Sequence, residues 1–105
     1  IISEKISISP NDDAILLHNK LADIGSKILL DTLDAMEDGT AIETPQDELQ
    51  VTYAPILKKH DGLIDWKMNA KAIQNRIRGL KPWPGTFTHL DDKTIKVHDG
   101  HVLNI

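Results

Sequence analysis

The stretch NAKAIQNRIRGLKPWPGTFTHLDDKTIKV, residues 69–97, changes its period halfway along. Ala70, Ile73, Ile77 and Leu80 fall three and four apart, the repeat of one helix face. Asn69 stands where an N-cap belongs, while Gly79 and Pro82 bring the helix to an end. After Pro84-Gly85 the period falls to two. Thr86, Thr88 and Leu90 form one set, a turn follows over "LDDKT", and Ile95 and Val97 share a face. Asp99-Gly100 is a two-residue hairpin signal that predicts a third strand from His101 to Ile105; alternatively the strand runs on through it. A helix running directly into antiparallel strands predicts an α+β chain.

Outward from that stretch, "YAPILKKHDGLIDW" places a His60-Asp61-Gly62 turn before the short apolar pair Leu63 and Ile64. Residues 40–52, "TAIETPQDELQVT", hold no sustained period and read as a linker over a surface. Before the linker, Leu17, Leu21, Ile24 and Ile28 recur at helical spacing. Ala14, Ile15, Leu29, Leu33, Ala35 and Met36 widen them into a broad apolar arc from Asp12 to about Asp38. Ser9 is the predicted cap, Pro10 the first helical residue, and Asp12 and Asp13 favour the positive end of the dipole. Gly39 supplies the stop. Gly25, inside the arc, predicts a close approach to another backbone, with a helix break as the alternative. So apolar a helix must pack on something, and self-association is expected if its usual partner is absent. Residues 1–8, "IISEKISI", alternate as a strand does.

The chain has 105 residues, 40% of them hydrophobic, with a net charge of −4. That is room for one small domain and a modest core. The charge is divided unevenly: three lysines stand against eleven acids in residues 1–50, and nine Lys/Arg against five acids in 51–105. The four aromatics, Tyr53, Trp66, Trp83 and Phe87, all lie in the basic half. The zero cysteine count excludes a disulfide scaffold and fits a reducing cytoplasm. No apolar run reaches the length of a membrane span. The start at Ile1-Ile2-Ser3, with no initiator methionine, reads as a cut out of a longer protein.

No complete active site is legible. His98, Asp99 and His101 come nearest to a metal set, with His60 and His89 in reserve, but further ligands are lacking. His18 falls within the apolar arc and reads as packed or half-exposed. Asp65 could be a general base, but a hydrogen bond to nearby backbone suits it better, with Trp66 as an anchor. Glycine-rich phosphate loops and nucleophile elbows are absent. The positive signal is basic: Lys58, Lys59, Lys67, Lys71, Arg76, Arg78 and Lys81 stand against Asp61 and Asp65. Lys67, Lys71 and Arg78 lie off the apolar stripe of the second helix, a strip that could track phosphates.

"TYAPILKKHDGLIDW" followed by "IQNRIRGLKPWPGTFT" resembles the joint between the two domains of the methionyl-tRNA formyltransferase family. The preceding "ISISPNDDAILLHNKLADIGSKILLDTLDAMEDGT" is similar to the last strand and helix of that family's catalytic domain. The "IDW" and "PWPG" elements at this separation carry the resemblance. It implies transfer of a formyl group from 10-formyltetrahydrofolate to the amino group of initiator methionyl-tRNA, in the cytoplasm. It also implies a division: 1–39 as the end of a Rossmann-like domain, 40–62 as interdomain linker, 63–105 as the start of an OB-like β-barrel.

The family's reaction-bearing segments, an Asn, a His in a HPSLLP-type segment and an Asp in a GLDTGD-type segment, are not present here. The expectation is therefore no catalytic, cofactor-binding or metal residue, and no formyl transfer by this chain alone without the missing catalytic domain. The seven basic residues are candidate tRNA contacts. His98-Asp99-Gly100-His101 departs from the family's plain strand continuation. Competing readings are the same region of another folate-dependent formyltransferase, a small basic RNA- or protein-binding module, and a purely structural connector.

Overall fold

The computed structural model describes residues 1–103. Its elements are α1 (Ala14–Glu37), α2 (Ala70–Gly79), β1 (Thr86–Leu90) and β2 (Lys93–Val97), with 3-10 turns at Glu48–Gln50 and Lys59–Gly62. The two strands pair antiparallel with Thr86 opposite Val97 and Leu90 opposite Lys93. The chain is thus α+β: two amphipathic helices, a linker and a hairpin.

The two periodic stretches form as their patterns require. Asn69 caps α2 by accepting the Ala72 amide at 2.8 Å. The last turn of α2 closes with the Leu80 amide on the Arg76 carbonyl. In the hairpin, Asp91 takes a left-handed φ of 52°, which a short polar side chain tolerates. Gly39, at φ 69°, ends α1 in a Schellman turn: the Thr40 amide reaches the Ala35 carbonyl at 2.8 Å and the Gly39 amide the Met36 carbonyl at 3.3 Å.

Three local expectations are corrected. The cap of α1 is Asp13, whose Oδ1 accepts the Leu16 amide at 2.9 Å, and not Ser9. Ser9 and Pro10 belong instead to a turn, closed by the Asp12 amide on the Ser9 carbonyl and by the Ser9 amide on Asp12 Oδ2. Residues 1–8 are not a strand, because no described segment lies beside them to complete a ladder. Neither version of the third strand forms at residues 98–103; positions 104 and 105 of that expectation lie outside the described residues.

The core sits under the hairpin. Ile64 and Ile77 are its buried apolar side chains. Leu63 bridges Phe87 in parallel, and the Ile64 amide donates to the Phe87 carbonyl at 2.9 Å, so residues 63–64 flank β1 opposite β2. The approach is close because both backbones are bare at the crossing: a Cβ on Gly62 would collide with the Gly85 carbonyl oxygen. Arg76 reaches over from α2 to the Asp61 carbonyl and fixes the same loop.

α1 buries none of its residues. Leu21, Leu29, Leu33 and Met36 are each more than half exposed, and no atom lies within 4 Å of a Cβ placed on Gly25. The close approach expected there is not made, since nothing described packs along this helix. No helix among the described residues is long and apolar enough to cross a membrane.

Candidate nucleic-acid interface

The alternation of the hairpin gives its two faces different chemistry. Thr86, Thr88, Ile95 and Val97 share one face; Phe87, His89, Thr94 and Lys96 share the other, with Phe87 opposite Lys96 and His89 opposite Thr94. On that second face the Phe87 and His89 rings meet edge to face, with centroids 5.6 Å apart. Thr94 Oγ1 lies 3.3 Å from His89 Nδ1. A groove of about 870 Å³ opens over this face. Lys59, Lys81, Pro82, Trp83, Pro84 and His98 line it together with Ile15 of α1. Three lysines and two histidines line it, and among the described residues no acid does.

The "IDW" segment positions the opposite face. Asp65 Oδ1 accepts the Lys67 amide at 2.9 Å, and its carbonyl accepts the Met68 amide at 3.1 Å. That turn carries the Trp66 indole N–H onto Thr88 Oγ1 at 2.8 Å. Asp65 is therefore a backbone-turn residue, as its hydrogen-bonding reading has it, and Trp66 ties loop to strand while remaining largely exposed.

The seven basic candidates do not form one strip. Lys59 and Lys81 reach the groove. Lys58, Lys67 and Lys71 are exposed elsewhere, with Lys71 Nζ on Gln74 Oε1 at 3.0 Å. Arg76 and Arg78 are turned inward, Arg76 to the Asp61 carbonyl and Arg78 to the turn before α1. Lys96, His89 and His98 line the groove and are not among those seven. The signal that finds them is the period of two itself, read for the polar face of the hairpin as well as the apolar one.

The turn before α1 holds a buried charge. Asp12, one of two buried polar residues, pairs with Lys20 Nζ at 2.7 Å. The Lys20 ammonium, then the Ser9 amide, hold its carboxyl below the ordinary aspartate value, against the opposing pull of burial. A carboxylate depressed in this way contributes stability that is complete above its unfolded pKa of about 4. That contribution is lost as pH falls through the lowered native value. The melting-temperature gap between the chain and its Asp12→Asn variant is thus expected to be full at neutral pH and to close in strong acid. A gap independent of pH would show that the charge contributes nothing.

Residues 56–105 match the family model described as formyl transferase, C-terminal domain. A methionyl-tRNA formyltransferase of Geobacter metallireducens is 45% identical over 98 residues, covering 93% of this chain and 32% of that protein. Over residues 56–105 the chain is similar to a formyltransferase C-terminal domain, and over most of its length to this relative. A second methionyl-tRNA formyltransferase, of Caldanaerobacter subterraneus subsp. tengcongensis, is 44% identical over 103 residues, 98% of this chain and 33% of its own length. A third, of Citrifermentans bemidjiense, is 40% identical over 97 residues. The chain spans about a third of the length of these formyltransferases. Asp12, the buried carboxylate, is satisfied by Lys20 and Ser9, and among the described residues no buried polar side-chain atom lacks a partner.

Proposed function

We propose that the chain is the piece of a methionyl-tRNA formyltransferase that presents a basic, aromatic groove to initiator methionyl-tRNA. The formyl group comes from 10-formyltetrahydrofolate and is transferred by reaction-bearing segments of the catalytic domain that this chain does not carry, so the chain alone is inactive. Residues 1–39 are the last segment of that domain, 40–62 the linker, and 63–105 the start of an OB-like barrel in a cytoplasmic translation enzyme. The uncovered face of α1 is then where the catalytic domain packs, and it drives self-association when that domain is absent. The family match from residue 56 onward and the three named relatives support this reading.

One observation carries the tRNA contact: a groove lined by Lys59, Lys81 and Lys96 together with Trp83 and Phe87, and with no acid among its described linings. Lysines neutralise phosphates and release counterions, and an exposed indole can stack on a base. Titration of the chain with tRNA at increasing salt tests it. Lys59→Ala and Lys96→Ala should each weaken binding and lower the salt slope by about one. If Lys67→Ala and Lys71→Ala weaken binding while the groove variants do not, RNA runs along α2 instead. An absence of salt-dependent binding by the chain would refute the contact altogether.

A further inference from the structure

The groove has walls from two distant parts of the chain. Ile15 belongs to the first turn of α1, whereas Lys81, Trp83 and the hairpin belong to the C-terminal module. Between them the chain is extended and exposed, and among the described residues 42–57 make hydrogen bonds only within 47–50. No buried apolar side chain of α1 backs the contact. Something else holds that wall in place.

Arg78 is the group placed to do so. Its Nη1 donates to the Asp12 carbonyl at 2.6 Å and to the Ser9 carbonyl at 3.1 Å, across 66 and 69 residues. Its Nε donates to Asn75 Oδ1 at 3.1 Å, which fixes the guanidinium on α2. The acceptors are main-chain carbonyls, so these bonds locate the backbone of the turn and not a mobile side chain. That turn is stiffened from within by Asp12, which accepts both the Ser9 amide and Lys20. Lys81 adds an ion pair to Asp13 at 3.7 Å, a length at which the partly exposed pair contributes little. A planar, permanently charged fork suits this task better than an ammonium.

We propose that Arg78 is a positioning residue that clamps the Ser9–Asp12 turn onto α2 and thereby sets the angle of α1 and the width of the groove. The effect on RNA rests on the function proposed above; the clamp itself does not. Because the chain has no cysteine, spin labels can be placed at Asp31→Cys on α1 and Asp92→Cys on the hairpin turn without background. With Arg78 present, pulsed dipolar spectroscopy should give one narrow distance. Arg78→Ala should lose that peak to a broad distribution, and Arg78→Lys should restore part of it. A distribution unchanged by Arg78→Ala overturns the clamp. A second label pair, Lys71→Cys with Asp92→Cys, lies within the C-terminal module and should keep its distance in Arg78→Ala. If that pair loosens too, Arg78 maintains α2 and not the joint, and the proposal is overturned.

These distances are read without RNA, so they stand or fall apart from tRNA binding. Where the wild-type chain does bind tRNA, Arg78→Ala should weaken binding, and Arg78→Lys, which keeps the charge, should recover it only as far as it recovers the distance. Full recovery of binding with the distance still broad would mark Arg78 as a phosphate contact and overturn its positioning role.

Discussion

Gly62→Ala is expected to destabilise the C-terminal module by about 2 kcal/mol, the middle of the range for forced overpacking. The added methyl would meet the Gly85 carbonyl oxygen, and a backbone atom cannot move aside as the tip of a side chain can. Gly85 has little room to yield, because its φ of 70° already holds the chain as it turns into β1. The lost approach should also free the Ile64 amide from the Phe87 carbonyl, 2.9 Å away in the native loop. Chemical denaturation measures the first effect and amide exchange at Ile64 the second. Wild-type values for both would show that the two loops do not touch as described.

Ile77→Ala should cost more, about 3 kcal/mol, within the range for truncating a buried isoleucine. The side chain is 6% exposed, and among the described residues Ile64, at 4%, is the one other buried apolar side chain. Its Cδ1 lies 3.2 Å from where a Cβ on Gly100 would stand, so the segment after β2 roofs it closely. So small a core has no neighbours able to refill the space, and a short module begins with little stability to lose. Leu21→Ala on α1 is the matched control, since Leu21 is 51% exposed and its loss should change the denaturation midpoint little. Equal midpoints for Ile77→Ala and Leu21→Ala would place the core elsewhere.

The elements built from local chemistry were legible. Asn69, the Ile73–Ile77–Leu80 stripe, the Gly39 stop and the Asp91-Asp92 turn each act within a few residues of themselves, and each stands where its pattern put it. Contacts between distant residues were not. Asp12 and Asp13 look alike as acids at a helix start, yet one is buried against Lys20 and the other caps the helix. Ser9 does not cap the helix because its Oγ accepts the Asn11 amide inside the turn that Arg78 holds. Arg76 and Arg78 resemble phosphate contacts as residue types; only the fold shows them spent on carbonyls. The strand pattern of residues 1–8 is a real alternation without a described neighbour to pair with. The groove escaped notice because its lysines come from a 3-10 turn, a proline-bounded loop and a strand, places that no single period connects.

The exposed linker has a consequence for the joint at Arg78. Two hydrogen bonds and a long ion pair would not hold two separate polypeptides together at cellular concentrations. Tethered by an exposed segment of this length, the turn and α2 instead meet at an effective concentration on the order of millimolar. Their association is therefore a unimolecular equilibrium, set by tether length as much as by contact strength. The joint can open and reclose without its parts ever diffusing away, and an insertion in residues 42–57 would shift its balance without touching a single residue that forms it.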